Sequence, residues 1–336
     1  MKVEEKRYGD YALVREMAET AEVVRNFDLS RLQGHTIISE RLLLSGEGSS
    51  RIFPAKRFRA QALRDGASLE IVVEGATQAL EYGLAGYHVF IASNSGKTAE
   101  GVRLLRALRE QDPGPVSLTA VAATGEAPIP READVAYILS CGTEEAVAAT
   151  KSVVEQALYY DLLYRILAEK GPVDFAELAE MMNTALRAEI PEEIVEAAVR
   201  APMIYFAGRN DGVAEELTLK TNEITRKKSD FLEGTYAVHG IEEVMREDEL
   251  VVLVDPFPGE EEKYQRVLEE GVGLKVAAIA DRETRFPTIR IPSAGEMAPY
   301  IQLLAGWNLL VEIGIATGID LDKPERARKV GNEFLG

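Results

Sequence analysis

The chain has 336 residues, enough for two ordinary domains, and its 46% hydrophobic and 28% charged content is that of a folded globular protein. A formal net charge of -18 opposes nucleic acid and anionic membrane surfaces, so a phosphate-bearing ligand would need a local site made of hydroxyls and backbone N–H groups. One cysteine, Cys141, allows no intrachain disulfide, three histidines allow no Cys/His metal cluster, and no metal or organic cofactor is expected.

In chain order, residues 1–37 read as a helical arm. The opening "MKVEEKRYGDYALVRE" lacks the apolar run of a signal peptide, so a cytoplasmic protein is expected. "RLLLSGEGSS" then reads as strand, glycine turn and helix start, and "HVFIASNSGKTAE" repeats that sequence of events. "LTAVAATGE" and "VAYILSCGT" supply two more strands, which gives a first domain over residues 38–171. Residues 172–190, bounded by Pro172 and Pro191, read as a linker helix.

The strands that follow match the earlier ones in kind. "PMIYFAGRND", "LVVLVDPFPGE", "KVAAIADRE" and "TIRIPSAGE" form a second domain over residues 191–322, followed by a tail over 323–336. Gly46 and Gly208 are 162 positions apart, as are Ser93 and Asp255, and this equal offset indicates an internal duplication. The apolar run Tyr300 to Ile319 is long enough to approach a bilayer's thickness. Gln302, Asn308 and Glu312 interrupt it, so a buried helix is expected and no membrane association. The expected fold class is α/β: two tandem units, each a parallel sheet flanked by helices in a flavodoxin-like or Rossmann-like three-layer arrangement.

In such sheets ligands bind beyond the carboxyl ends of the strands. Gly96-Lys97-Thr98 ends like a nucleotide P-loop, but the first glycine of that motif would stand at Ile91, inside a strand, and the motif fails. What remains is Ser93, Asn94, Ser95 and Thr98 at a helix start, with Gly48, Ser49 and Ser50 in the preceding turn. Simple capping would explain one of these hydroxyls; a phosphate cradle explains the set. In the second half Glu216, Lys220 and Glu223 fall at i, i+4 and i+7, on one helical face. That face is either a solvated ion-paired surface or a site for proton transfer.

"SNSGKTAE" resembles the serine-rich phosphate loop of sugar isomerase (SIS) domains, and "GEGSS" resembles that family's earlier loop. "EEAVAATKS" is similar to the segment that closes over the sugar, which implies substrate contacts from Val147 and Ala149. The amino-sugar isomerases of this family carry E-x-x-x-K-x-x-E followed sixteen residues later by histidine, as Glu216, Lys220, Glu223 and His239 do here. The resemblance implies Glu223 as the base moving a proton between C2 and C1, with Lys220 beside the enediol oxygen and Glu216 supporting it. It implies His239 as the ring-opening group, donated across a homodimer interface. A family tail with lysine five residues after proline matches Pro324 and Lys329, implying that Lys329 also reaches the sugar.

Two departures bear on the substrate. Ala149 stands where the amino-sugar synthases have serine, and Gly240-Ile241 replaces Gly-Pro after the histidine. Position 2 is Lys2 rather than a nucleophilic cysteine, so this chain is expected not to draw ammonia from glutamine. The activity implied is a hexose 6-phosphate aldose-ketose isomerase, chiefly a glucosamine-6-phosphate deaminase. A fructosamine-6-phosphate deglycase and a non-catalytic phosphosugar sensor stand as alternatives.

Overall fold

The structure, a computed structural model, describes residues 1 and 4–326. Lys329 and the rest of the tail beyond residue 326 lie outside the described residues. Two compact units are present. One comprises residues 23–144 and 149–175; the other comprises residues 1–22, 145–148 and Ala176 to the end of the described chain.

The first unit is built on β1 (Arg41–Gly46), β2 (Glu70–Glu74), β3 (His88–Ala92), β4 (Ser117–Ala122) and β5 (Val135–Ile138). All pair in parallel, in the order β2-β1-β3-β4-β5. Strands β3 and β4 are buried along their whole length, which is why "HVFIA" and "LTAVA" read as continuous apolar runs and not as alternations. The chain leaves β1 and β3 side by side, and this reversal in strand order makes the crevice between them the place where such sheets take ligands. Helix Lys151–Leu167 is buried from Lys151 through Tyr164 and packs on helix Ile52–Arg64. A buried ion pair joins the two, Arg57 to Asp161 at 2.8 Å.

The second unit has β6 (Met203–Gly208), β7 (Lys228–Glu233), β8 (Leu250–Val254), β9 (Lys275–Ala280) and β10 (Thr288–Arg290), parallel in the order β7-β6-β8-β9-β10. Its order repeats that of the first sheet strand for strand. Arg41 and Met203, which open β1 and β6, stand 162 positions apart, as do His88 and Leu250, which open β3 and β8. The apolar run near the C-terminus is helix Ala298–Ala316, buried on nearly every side. It lies so close to helix Val213–Thr225 that a methyl group at Gly306 would meet Leu217 Cδ2 at 2.3 Å, which explains the glycine there. The polar residue Asn308 inside it donates Nδ2 to the Ala188 carbonyl at 2.9 Å. No helix among the described residues is long and apolar enough to cross a membrane.

The segment bounded by Pro172 and Pro191 forms helix Phe175–Leu186. Residues 1–22 of the N-terminal arm pack with the second unit, where the carboxylate of Asp322 accepts from the backbone N–H groups of Ala12 and Leu13 at 2.7 and 2.9 Å, the first turn of helix Ala12–Arg25.

Candidate active site

In the first unit, the loops that follow β1 and β3 meet at Gly46, where a methyl group would lie 2.8 Å from the Ala92 carbonyl oxygen and 3.3 Å from Ser50. Only glycine permits that approach. The turn Gly48–Ser50 starts with Gly48 at φ +52°, and leaves Ser49 and Ser50 half-buried at its surface. Beyond β3, Ser93 is buried; its Oγ lies 2.7 Å from Thr98 Oγ1 and accepts from the Gly96 N–H at 3.0 Å. Ser93 therefore braces the loop from within, and Ser95 and Thr98 are the half-buried hydroxyls at its surface. Gly96 has φ +66°, and a methyl there would stand 2.7 Å from Ala127 Cβ.

Thr98 occupies the N-cap position of helix Ala99–Arg109, yet its side chain makes no capping hydrogen bond. The capping explanation for this hydroxyl fails. Its partner is Ser93, and the N–H groups of the first helical turn have no side-chain cap from Thr98. Convergent hydroxyls and such N–H groups at the carboxyl ends of parallel strands suit an anion of phosphate size. Lys97 is exposed, in keeping with a loop whose binding groups are the hydroxyls.

In the second unit, helix Val213–Thr225 carries Glu216, Lys220 and Glu223 on one face, and this face is not a solvated surface. The side chains of Glu216 and Lys220 are 0% exposed and that of Glu223 is 25% exposed. Lys220 Nζ lies 2.9 Å from Glu223 Oε2 and 3.4 Å from Glu216 Oε1, so the ammonium is shared, and it is nearer the base candidate than its supporting carboxylate. Burying two charged groups is expensive unless they are paired, and surface ion pairs of the ordinary kind contribute little. Of the three, Glu223 alone reaches solvent. A half-buried carboxylate backed by a buried ammonium can take a proton from a bound molecule, and the ammonium can face the negative charge that develops.

His239 follows the short turn Tyr236–Val238 and is exposed. Gly240, at φ +108°, lets the chain reverse immediately after it. The imidazole Nε2 lies 3.2 Å from Lys263 Nζ, and His239 makes no hydrogen bond to Glu216, Lys220 or Glu223. The structure thus joins three of the sequence-identified residues of this half by ion pairs, while His239 has Lys263 as its partner. Arg226, in the left-handed region at φ +57° just after the helix, donates to the Ile224 carbonyl at 2.9 Å and to the Asp320 and Lys323 carbonyls at 2.8 and 2.6 Å. It closes the helix end and anchors the chain ahead of Pro324.

Val147 and Ala149 are half-buried in the loop before helix Lys151–Leu167. Sequence reasoning missed the carboxylates that shape this loop. Glu155, wholly buried, accepts from the Ser140 and Cys141 backbone N–H groups, both at 2.7 Å, and from Tyr137 Oη at 3.1 Å. Buried Glu144 accepts from Thr150, Ser152 and Asn94. Burial among these groups pushes the Cys141 thiol far above its ordinary range and makes it unreactive. A cavity of about 420 Å³ lined by Glu193, Arg200, Leu250 and Lys275 lies at the amino ends of β8 and β9, the wrong end of the strands for a ligand of this fold.

No protein-family model matches the chain. In sequence it is similar to glutamine–fructose-6-phosphate aminotransferases (isomerizing): that of Aeropyrum pernix is 27% identical over 95% of this chain and 55% of the relative, and that of Clostridium perfringens is 29% identical over 72% and 43%. The chain spans about half the length of these curated relatives. In fold it matches the C-terminal domain of glucosamine-fructose-6-phosphate aminotransferase from Francisella tularensis (TM-score 0.76, 19% identity, 96% of this chain and 100% of that one). It also matches glucosamine-6-phosphate deaminase from Thermotoga maritima (0.75, 19%, 95% and 97%) and tagatose-6-phosphate ketose/aldose isomerase from Escherichia coli (0.78, 15%, 96% and 99%). The resemblance to sugar isomerase domains read from the motifs therefore stands in sequence and in fold.

Proposed function

We propose that the chain is a pair of tandem SIS domains that interconverts an aldose and a ketose 6-phosphate, with glucosamine 6-phosphate, converted to fructose 6-phosphate and ammonia, as its substrate. The observation that carries this reading is the Glu216–Lys220–Glu223 cluster: two buried charged side chains behind one accessible carboxylate. A purely binding protein has no use for so costly an arrangement, which is why an enzyme is preferred to a sensor.

In this reading Ser49, Ser50, Ser95 and Thr98, with the N–H groups of the helix start, hold the phosphate. Glu223 takes the proton from C2 of the open-chain amino aldose and returns it to C1, while Lys220 faces the oxygen that becomes negative in the enol intermediate. The product of that shift is a C2 imine; water adds to it and ammonia leaves. His239, supplied by a second copy of the chain in a homodimer, opens the sugar ring, and Lys329 reaches the same sugar from the tail. Each residue role follows the family resemblance and the chemistry of the side chain.

The test is to offer glucosamine 6-phosphate, fructose 6-phosphate with ammonia, and fructoselysine 6-phosphate to one preparation and follow consumption. Turnover of the first pair and none of the third is expected. Consumption of fructoselysine 6-phosphate alone would make the protein a deglycase. Binding of all three without turnover would make it a sensor.

A further inference from the structure

The buried carboxylate of Glu144 has no part in the proposed mechanism. It is 5% exposed, stands in the loop between β5 and helix Lys151–Leu167, and accepts hydrogen bonds from Thr150, Ser152 and Asn94. Its Oε1 receives the Thr150 backbone N–H at 2.7 Å and Thr150 Oγ1 at 3.1 Å; its Oε2 receives Ser152 Oγ at 2.6 Å and Asn94 Nδ2 at 3.0 Å. A carboxylate that carries no proton only accepts, and each of these partners is placed to donate to it.

The consequence falls on Asn94. An acceptor-only partner compels the amide to turn its NH₂ toward Glu144, which fixes the orientation of the amide and puts Oδ1 on its other side. The Asn94 backbone carbonyl is also occupied, by the Ala123 N–H at 2.9 Å. The surrounding loop offers hydroxyl and N–H donors, the groups a phosphate needs. An amide oxygen repels phosphate and accepts from a hydroxyl instead.

We propose that Glu144 is a positioning residue that sets Asn94 to accept a sugar hydroxyl, giving the loop a means of distinguishing a phosphosugar from bare phosphate. This inference rests on the phosphosugar reading above. It moves Asn94 out of the phosphate cradle in which the sequence placed it.

The test is calorimetric titration of the full chain with fructose 6-phosphate and, separately, with inorganic phosphate. Glu144→Gln, which presents an NH₂ to groups that are themselves donors, should weaken fructose 6-phosphate about tenfold and inorganic phosphate less than about twofold, the worth of one ligand hydrogen bond. Asn94→Ala leaves the buried anion in place and should give the same selective loss even where Glu144→Gln fails to fold. Combining the two should add no further selectivity loss, because one acts through the other. Equal weakening of both ligands, unchanged affinity for fructose 6-phosphate, or additive losses in the double variant would overturn the inference alone. Wild-type protein that binds neither ligand would overturn the phosphosugar reading and the inference with it.

Discussion

The crevice between β1 and β3 and the crevice between β6 and β8 occupy the same place in the same strand order, yet their chemistry is opposite. In both a glycine presses against the neighbouring strand's last carbonyl: a methyl at Gly46 would meet Ala92 O at 2.8 Å, and one at Gly208 would meet Val254 O at 3.0 Å. The first crevice then offers Ser49, Ser50, Ser95 and Thr98. The second holds an ion pair, Arg209 Nη1 to Asp255 Oδ2 at 2.6 Å, with the guanidinium 4.4 Å over the Phe257 ring. Asp255 stands 162 positions after Ser93, so a negative charge occupies the place of a hydroxyl. That difference teaches that the close strand-end approach at a glycine is common to both halves, and that the side chains around it are what differ. In the second half the charged chemistry sits on the helix face that carries Lys220.

The comparison can be broken in several ways. Glu223→Gln should lower kcat by about 10²- to 10⁴-fold, the usual worth of a positioned base, in a coupled assay of ammonia release. Lys220→Met removes the buried ammonium from between Glu216 and Glu223 and should cost about 3–5 kcal/mol of stability in urea denaturation. Retention of full stability would mean that the cluster is not electrostatically linked.

His88 tests the first sheet by pH. Burial pushes its pKa down to about 4 from the ordinary 6.5, so its neutral form is favoured in the folded state. The stabilisation this gives is present above pH 6.5 and lost as pH falls from 6.5 toward 4, where the unfolded chain binds the proton first. The loss amounts to about 3 kcal/mol. Melting temperature should fall over that interval, and less steeply in His88→Asn.

Smaller effects separate the two crevices. Ser95→Ala should raise KM about tenfold, the worth of one charge-assisted hydrogen bond, and Lys97→Ala should leave it within about threefold. Arg209→Ala should leave KM within about twofold, since its crevice is closed by its own ion pair. A rise in KM for Arg209→Ala as large as that for Ser95→Ala would mean that both crevices take part.

Much of this was legible in the sequence because parallel strands covered on both faces leave apolar runs ending at glycine, as in "RLLLSG" and "MIYFAG". The spacing of Glu216, Lys220 and Glu223 was legible too, though not its burial, since the same pattern describes an exposed face. Glu144 and Glu155 were invisible for another reason. In a chain of charge -18 one more glutamate reads as surface, and the contact of Glu144 with Asn94 spans 50 positions with no spacing rule to reveal it. The packing of residues 1–22 with the second unit is equally non-local: the cap on Ala12 comes from Asp322, 310 positions away. The burial of Ser93 and its bonds within the loop were not legible either, because sequence gives the residue type and not the direction of its side chain.

The most direct test of the proposed division of labour is steady-state kinetics of Ser95→Ala and Glu223→Gln side by side on glucosamine 6-phosphate. The account predicts that Ser95→Ala raises KM with kcat nearly unchanged, and that Glu223→Gln lowers kcat with KM nearly unchanged. Both substitutions moving the same parameter, or Glu223→Gln retaining wild-type kcat, would contradict it.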